Sequence, residues 1–305
     1  MTTPLLSVVV VGFDMARELP RTIQSLLPPY QRGFPADAIE IIVADNNSSE
    51  PVRRDQFPAD ADVTVVRVED GGVSPCRAIN RAAALARGAL IAVVIDGARM
   101  ASPGLLRAAT DAIRIDPNAF VATLGFHLGP KVQQVSVTEG YTQAAEDHLL
   151  AGIGWPSDGY RLFEICALGE SYRDGVFTAP PETTFFVMAT GRFRALGGFD
   201  EGFQALGGGF CNYDFFERAT SDPSAPFVML VGEGTFHQLH YGATTQAGGV
   251  RRPVGPAAEP LSDVYAREYQ ALRGQPYVRS FPDPVLHGRL THPKVKPLFF
   301  PAPTP

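Results

Sequence analysis

The sequence predicts an α/β protein built around a mostly parallel sheet with helices on its faces. Continuous β-branched runs alternate with helical patterns through the first 125 residues, and short connections separate them. This alternation is typical of right-handed β–α–β units. Clusters of polar residues directly follow several of the runs, and ligands of such sheets bind at the carboxyl ends of the strands. The fold class therefore also predicts where a functional site should lie.

Hydrophobic periodicity predicts the individual elements. Continuous apolar runs predict buried strands at residues 7–11, 39–44, 63–68, 90–95 and 227–231. Apolar residues at helical spacing predict helices over residues 19–27, 78–86, 104–115 and 263–272. Residues 275–305 are rich in proline but keep several large apolar side chains, so we expect an extended segment that wraps the body.

Composition excludes several classes of protein. Apolar residues make up 45% of the 305-residue chain, which suffices for a large core and excludes global disorder. The net charge of -6 argues against a general attraction to nucleic acid. Three scattered cysteines form no disulfide framework and favour a reducing cytoplasm. Because we find neither an export signal nor an apolar run long enough to span a bilayer, we expect a soluble cytoplasmic protein.

Three polar clusters follow predicted strands and should converge at one edge of the sheet. They are Gly12-Phe13-Asp14, Asp45-Asn46-Asn47 and Asp96-Gly97-Ala98. The first of these turns has a single glycine followed by a bulky phenylalanine, so it lacks the GxGxxG pattern of dinucleotide-binding dehydrogenases. A P-loop is missing as well. Both of those nucleotide-binding classes are therefore disfavoured.

Four stretches carry a resemblance to a known family. They are residues 7–13 with the helix around residues 19–26, residues 41–49, residues 77–91 with the segment 96–104, and residues 197–203 with 214–218. In order and spacing they resemble the family-2 glycosyltransferases with a GT-A fold, a Rossmann-like fold of the nucleotide-diphospho-sugar transferases. The resemblance implies a GT-A domain over residues 1–245, with a nucleotide-binding half at 1–125 and an acceptor half at 126–245. Residues 246–305 would form a C-terminal lid and wrapping extension.

The resemblance implies a hexosyltransferase-like enzyme that moves a sugar from a nucleoside diphosphate-sugar donor to an acceptor hydroxyl. Asp45 would accept a hydrogen bond from the base, and Arg77 and Asn80 would face the ribose and phosphates. The full set of implied donor-binding residues is Val11, Gly12, Phe13, Asp45, Arg77, Asn80, Asp96, Gly97 and Arg99. Two alternatives stay open. Asp45 could form an Asx turn that merely closes the loop, and Arg77 and Asn80 could simply be polar side chains that face solvent.

The metal site that the resemblance implies is incomplete in this sequence. Family members carry Asp-x-Asp where this chain has Asp96 and then Ala98, so one carboxylate is missing. Either Asp96 binds Mn²⁺ or Mg²⁺ with help from elsewhere, or Arg99 partly neutralises the diphosphate; an Asp96 that binds no metal is the alternative. His237 and His240 are the candidates for that help, since imidazole and carboxylate suit Mn²⁺. In an extended segment they would point to opposite faces, and we favour His240.

The catalytic residues implied on the acceptor side are also altered. Asp214 aligns with the family's acceptor loop, and Asn212 stands where inverting members have the Asp that deprotonates the acceptor. An amide has no useful basicity, so Asp214 would be the base, or the enzyme would retain configuration; a helix N-cap is the alternative for Asp214. The expected acceptor-binding residues are Trp155, Glu182, Thr183, Gly208 and Gly209, with core packing as the alternative for the aromatic ones.

Two rival functions fit parts of the sequence. A nucleotidyltransferase of similar topology would need a glycine-rich, basic loop after the first strand, and Gly12-Phe13-Asp14 argues against it. A noncatalytic nucleotide-sugar-binding relative is consistent with Ala98 and Asn212. We expect a nucleotide-sugar donor and a small-molecule or saccharide acceptor as partners, and no nucleic acid. A homo-oligomer is left open.

Overall fold

A computed structural model describes residues 3–279 and 282–302. The parts of the predicted domain and extension that fall on residues 1–2, 280–281 and 303–305 lie outside the described residues. The described strands are β1 (Leu6–Gly12), β2 (Ile39–Asp45), β3 (Val63–Arg67), β4 (Leu90–Val94), β5 (Arg99–Ala101), β6 (Phe120–Leu128), β7 (Cys166–Leu168), β8 (Phe185–Ala189), β9 (Phe227–His237), β10 (Pro253–Val254), β11 (Glu259–Pro260) and β12 (Val285–Gly288). The described helices are α1 (Leu19–Leu26), α2 (Cys76–Ala84), α3 (Leu105–Ile115), α4 (Gln133–Ser136), α5 (Gln143–Ile153), α6 (Thr190–Ala195), α7 (Cys211–Thr220), α8 (Leu261–Arg273) and α9 (Val295–Phe299).

One mixed sheet forms the centre of the fold, in the order β12-β9-β6-β8-β4-β1-β2-β3. The strands β3, β2, β1 and β4 pair in parallel, as do β6, β9 and β12. Only β8 on this path runs antiparallel to both of its neighbours, β4 and β6. The short strands β5 and β7 add antiparallel pairs to β9 and β6. The predicted mostly parallel sheet with flanking helices is thus confirmed.

The N-terminal elements agree closely with those that periodicity predicted. The four predicted strands correspond to β1, β2, β3 and β4, and the three predicted helices to α1, α2 and α3, each within about two residues at either end. The later strand was predicted too short. β9 continues to His237 because β5 and β6 pair with its second half.

Helices cover both faces of the sheet and bury two apolar cores. On one face, α1 and α3 contribute Leu19, Ile23 and Leu105. On the other face, an aromatic cluster includes Phe186 and Phe215, whose rings lie 5.0 Å apart. Burial of each such side chain contributes about 1.5–3 kcal/mol. The aromatic enrichment of the middle of the chain therefore mainly reflects core packing.

The C-terminal residues pack against the body of the protein. β12 extends the central sheet as a parallel neighbour of β9. Val295 and Phe299 of α9 are fully buried, and the Phe299 ring lies 5.7 Å from that of Phe126 in β6. The division of the chain at residue 245 and the role of residues 246–305 as a lid stay predictions.

Candidate metal and donor site

The three predicted polar clusters meet at one edge of the sheet. β1 lies between β2 and β4, so the carboxyl ends of all three strands reach that edge. Beyond the ladders, the Asn46 amide donates to the Gly12 carbonyl at 2.9 Å, and the Gly97 amide donates to the Val11 carbonyl at 2.6 Å. These bonds tie the loops together. The predicted convergence is confirmed.

One carboxylate and two imidazoles come together at this edge. Nε2 of His237 lies 2.8 Å from Oδ2 of Asp96, and Nε2 of His240 lies 3.2 Å from the same oxygen. The two Nε2 atoms are 3.0 Å apart. Oδ1 of Asp96 accepts a hydrogen bond from the Ala98 amide at 2.9 Å, which orients the carboxylate. Because the Asp96 side chain is 22% exposed, the cluster is accessible from solvent.

The sheet and Gln133 together hold His237 in place. His237 ends β9, where it pairs with Arg99 of β5 on one side and His127 of β6 on the other. Nε2 of Gln133 donates to the His237 carbonyl at 2.9 Å, and Oε1 of Gln133 lies 2.6 Å from Nδ1 of the ring. Since an amide oxygen only accepts hydrogen bonds, Nδ1 carries the proton and Nε2 presents a lone pair to Asp96.

His240 reaches the same carboxylate because the strand ends at His237. The Leu239 amide then donates to both carboxylate oxygens of Glu146, at 2.9 and 3.1 Å. Glu146 is fully buried and lies 3.2 Å from the Arg17 guanidinium. The expectation that the two histidines point to opposite faces is therefore wrong, because it assumed an extended segment through residue 240.

Proton equilibria in this cluster suit a divalent cation. Burial lowers the pKa of His237 to about 4, so this imidazole is neutral at physiological pH. Burial also opposes the charged form of His240, but the Asp96 carboxylate outweighs it and raises the pKa of His240. For Asp96, burial is more than offset by the neighbouring His240, which holds the pKa of Asp96 well below its usual range.

The three side chains fit a metal ion in their spacing and their chemistry. Their potential ligand atoms all lie within 4.8 Å of one another. A mixed set of imidazole nitrogen and carboxylate oxygen suits transition-metal cations such as Mn²⁺. Gln133 supplies the outer hydrogen bond that metal-binding histidines ordinarily make. Asp96, His237 and His240 can therefore hold a divalent cation.

Arg99 adds positive charge beside this cluster. Register pairs share one face of a sheet, so the side chains of Arg99, His237 and His127 form a row across β5, β9 and β6. Burial holds the pKa of His127 far below its usual range, so His127 is neutral. Within residues 3–279 and 282–302, the buried Nε of Arg99 has no hydrogen-bond partner. An anionic ligand would suit it, and the contact with a diphosphate stays a prediction.

Asp45 lies at the end of β2 as predicted, but its carboxylate closes a loop. The residue is fully buried. Oδ1 accepts from the Ser48 amide at 2.9 Å, and Oδ2 accepts from the Val52 amide at 3.1 Å and from Arg67 at 2.8 Å. The carboxylate is thus held inside the protein and closed off from solvent. The direct contact predicted for Asp45 is therefore corrected to the Asx-turn alternative.

Arg77 and Asn80 both contact the loop that includes Phe199 and Glu201. Asn80 exchanges two hydrogen bonds with the Phe199 backbone at 2.8 and 2.9 Å, and it donates to Glu201 at 3.0 Å. Nε of Arg77 lies 3.0 Å from the same glutamate, and Asp70 lies 3.3 Å from its guanidinium. The Asn80 amide is engaged by these bonds, whereas the Arg77 side chain is 37% exposed. The contacts predicted for both residues with ribose and phosphates stay a prediction.

The remaining predicted donor residues lie at the edge itself. The Phe13 side chain is 52% exposed, above the buried Val11 and Gly12. A Cβ at Gly97 would come within 2.8 Å of the Val11 carbonyl and 3.2 Å of the Met15 sulfur, so close approach requires glycine there. Contact of Val11, Gly12, Phe13 and Gly97 with a donor stays a prediction.

Asp214 is neutralised by two arginines. Its Oδ2 accepts from Nε of Arg218 at 2.8 Å and its Oδ1 from Nε of Arg273 at 2.6 Å, while the side chain is only 3% exposed. Both oxygens of this buried carboxylate are thus engaged by guanidinium groups, which is a structural role. The role of Asp214 as the catalytic base stays a prediction without support from these contacts. The N-cap alternative is wrong, because Phe210 is the N-cap of α7.

Asn212 and Glu182, predicted for different roles, are hydrogen-bonded to each other. Nδ2 of Asn212 donates to Oε2 of Glu182 at 3.2 Å, and Oγ of Ser171 donates to Oε1 at 2.7 Å. Glu182 is half-buried in the segment before β8. The neighbouring Thr183 is fully buried. Their roles toward an acceptor stay predictions.

Trp155 and the glycines before α7 have structural explanations. Trp155 is 6% exposed and packs edge-on against Tyr30 at 5.6 Å, so its predicted acceptor contact is corrected to core packing. Gly208 and Gly209 have φ of 84° and 55°, values that favour glycine. A Cβ at Gly208 would lie 2.7 Å from Sγ of Cys211. Acceptor contact at Gly208 and Gly209 stays a prediction.

The sequence did not predict a role for Gln133 or Glu146. Gln133 fixes the ring of His237, and Glu146 fixes the turn before His240. Both come from α4 and α5, helices outside the predicted set, and no motif marks either residue. Their partners are about a hundred residues away along the chain, at the end of β9.

None of the helices in the part of the chain that the structure describes is both long and apolar enough to cross a membrane.

Residues 7–142 match the family model described as glycosyl transferase family 2. No curated protein matches the chain.

Several solved structures are similar in fold to this chain at low sequence identity. The S. aureus TarS 1-349 complex with UDP-GlcNAc is 14% identical, with 87% of this chain and 66% of that chain covered and a TM-score of 0.51. A second S. aureus TarS structure is 13% identical, with 77% and 36% covered and a TM-score of 0.51. The mannosyltransferase PcManGT from Pyrobaculum calidifontis, in complex with GDP-Man and Mn²⁺, is 15% identical, with 79% and 59% covered and a TM-score of 0.50.

These matches bear on fold and family. At such identities the solved structures show a shared fold, and this chain spans between 36% and 66% of their lengths. Together with the sequence match in the N-terminal part, they confirm the resemblance to family-2 glycosyltransferases with a GT-A fold.

Proposed function

We propose that this family-2-like glycosyltransferase moves a sugar from a nucleoside diphosphate-sugar donor to a hydroxyl group of a small-molecule or saccharide acceptor. One observation carries the proposal. Asp96, His237 and His240 converge at the carboxyl edge of the parallel strands, which is where open α/β sheets bind their ligands. The family match over residues 7–142 supports the class of donor.

The cation in this proposal is Mn²⁺ in preference to Mg²⁺. Asp96, His237 and His240 would hold it, and when bound it would act as a Lewis acid on the departing diphosphate. Two imidazole donors favour Mn²⁺, because Mg²⁺ selects oxygen ligands almost exclusively. The two histidines also replace the carboxylate that Ala98 removes from the expected pattern. PcManGT, similar in fold, was solved with GDP-Man and Mn²⁺.

Further residues of this chain would position the donor. The exposed ring of Phe13 offers a flat apolar face for a nucleotide base at the same edge. Arg99, in the row that includes His237, offers positive charge to the diphosphate.

The cysteines are free thiols, which supports the predicted cytoplasmic location.

A noncatalytic nucleotide-sugar-binding relative is the second candidate, and the acceptor side favours it. Asp214 is neutralised by Arg218 and Arg273, and Asn212 is an amide. If no other group took the proton of the acceptor and the enzyme did not retain configuration, the protein would bind a donor without turning it over. The two candidates differ in one measurable quantity, the release of nucleoside diphosphate.

The test is turnover of a donor panel with and without the metal. The protein is incubated with UDP-GlcNAc, UDP-glucose and GDP-mannose in MnCl₂ or EDTA, and released nucleoside diphosphate is measured. We expect Mn²⁺-dependent release from at least one donor. Asp96→Ala should lower it by at least about a hundredfold, because one preorganised charge contact at a leaving group is worth that much.

Asp55→Ala is the matched control, since Asp55 lies on the surface beside Arg53 and should leave turnover unchanged. Donor binding without any release would establish the noncatalytic alternative. Equal turnover by Asp96→Ala and the wild type would remove Asp96 from the metal site.

A further inference from the structure

We propose that Glu182 is the general base that removes the proton from the acceptor hydroxyl. The proposal rests on the glycosyl transfer proposed above and assigns its proton acceptor. Glu182 takes over from the carboxylate that the resemblance predicted at the start of α7, where this chain has Asn212. The carboxylate is thus found on the hydrogen-bond partner of Asn212 and not at position 212 itself.

The carboxylate of Glu182 differs from that of Asp214 in its partners, since its Oε1 accepts from Oγ of Ser171 at 2.7 Å and its Oε2 from Asn212. Asp214 is buried between Arg218 and Arg273 and is committed to them. The amide of Asn212 cannot accept a proton, but its Nδ2 donates to Oε2 of Glu182 at 3.2 Å. A hydrogen bond from a neutral amide orients a carboxylate and leaves its negative charge, whereas an arginine would neutralise that charge. Glu182 is half-buried, so it remains accessible to a substrate.

Strand pairing brings Glu182 to the edge that holds the metal cluster. β8 runs antiparallel to β4, with Val94 opposite Phe185. One residue beyond, the Ile95 amide donates to the Thr184 carbonyl at 3.3 Å. Asp96 follows Ile95 directly, and Glu182 stands two residues before Thr184. Both residues therefore lie at the same end of one strand pair.

Aromatic side chains lie near Glu182, since Tyr213 follows its partner Asn212 in the chain, and they indicate the class of acceptor. Burial and the charge of Glu182 raise the pKa of Tyr213, so the two side chains are electrostatic neighbours. The ring of Tyr213 stacks on Phe210 at 4.8 Å and lies 5.2 Å from that of Tyr277. These three rings are only partly buried. Aromatic faces beside a carboxylate suit a saccharide, which presents apolar ring faces together with hydroxyl groups.

The proposed step is a single displacement. The acceptor oxygen forms a bond to the anomeric carbon while the bond from that carbon to the diphosphate oxygen breaks. The electron pair of the broken bond leaves on the diphosphate, and the hydroxyl proton passes to Glu182, which later releases it to solvent. Because the acceptor attacks from the face opposite the leaving group, this step inverts the anomeric configuration.

The test exchanges the amide and the carboxylate between positions 182 and 212. Glu182→Gln, Asn212→Asp and the double variant are compared with the wild type for Mn²⁺-dependent release of nucleoside diphosphate, with water as the acceptor. Glu182→Gln should lower kcat by about 10²–10⁴-fold, the range for loss of a general base, while the KM for the donor stays unchanged. The double variant, which restores an amide–carboxylate pair with the charge on the other side, should regain at least about tenfold of that loss.

Two further measurements separate a base from a structural residue. The acidic limb of the wild-type kcat/KM profile against pH should be missing in Glu182→Gln, because that limb reports ionisation of the base. Early-time ¹H NMR should show the inverted anomer as the first sugar released. Glu170→Gln is the matched control, since Glu170 lies on the surface beside Arg173 and should behave as the wild type does.

The outcomes distinguish this proposal from the one it rests on. Undiminished turnover in Glu182→Gln, no gain in the double variant, or a retained anomer would overturn the assignment of Glu182 and leave glycosyl transfer standing. Loss of donor binding and of the unfolding transition in Glu182→Gln would likewise overturn it, by showing a structural residue. Failure of the wild type to release nucleoside diphosphate from any donor would overturn both.

Discussion

Asp96 and Asp214 are both largely buried carboxylates, but their partners differ in kind. Asp96 faces two imidazoles, one of them neutral at physiological pH. Asp214 faces Arg218 and Arg273, which stay protonated at any pH that a folded protein meets. The partners of Asp96 can exchange a proton for a metal ion, whereas those of Asp214 hold it permanently.

The difference teaches that the partner of a carboxylate decides its role more than its place in a motif. Both residues were expected to take part in the reaction. The resemblance placed them by sequence, but it could not show which permanent cations surround them. Three predictions test this contrast, beginning with the largest effect.

Asp214→Asn should destabilise the protein strongly and leave its chemistry intact. Breaking a buried ion pair by removing one partner costs about 3–5 kcal/mol, because it leaves uncompensated charge on the arginines. Urea unfolding measures the loss, and donor turnover per folded molecule should equal that of the wild type. Asp222→Asn, on the surface beside Ser224, is the control. A folded but inactive Asp214→Asn would restore Asp214 as a catalytic residue and end the contrast.

Gln133→Leu should weaken Mn²⁺ binding while the fold is kept. The Gln133 amide sets the tautomer and orientation of the His237 ring, and removing such an outer contact costs about 10–100-fold in metal affinity. Isothermal titration with MnCl₂ gives the dissociation constant. The adjacent Gln134→Leu serves as the control. Equal affinities for the two variants would show that His237 needs no such support.

Mn²⁺ affinity should fall as the pH is lowered. Protonated His240 cannot bind a metal, and its pKa is raised above the ordinary value, so the neutral form is lost at a higher pH than usual. Below that pKa the affinity should drop about tenfold per pH unit, as one proton competes with one metal ion.

His237, with its pKa lowered to about 4, should not contribute to this slope above pH 5. Titrations at pH 5.5, 6.5 and 7.5 measure the slope, and His240→Ala should bind Mn²⁺ more weakly with a flatter pH dependence. A wild-type affinity independent of pH would exclude His240 as a ligand.

The N-terminal half of the fold was predictable because its signals are local. The apolar runs of β1, β2 and β4 are continuous, and buried parallel strands require that pattern. Asp96 could be predicted for the same reason, since it directly follows a strand. The second half of β9 could not, because its sequence includes Gly232 and Gly234 and its extension depends on pairing with β5 and β6.

The rest of the site depends on distant partners that a single sequence does not display. From the sequence alone, Asp45 could bind a donor and Asp214 could act as a base. The structure places Arg67 against Asp45 and Arg273 against Asp214. His237 and His240 were correctly singled out by their clustering. Their shared direction depends on the turn that Glu146 holds, and the sequence offers no sign of that contact.

Arg273 is the last residue of α8, yet it binds Asp214 in α7 and Asp200 in the loop before it. Half of the positive charge that compensates Asp214 is thus contributed from about sixty positions downstream. A shortened chain that stops before Leu261 would lose that guanidinium and the β12 neighbour of the sheet together. Attempts to trim this protein to a minimal enzyme should therefore preserve α8, which also packs Tyr265 and Tyr269 against Phe210.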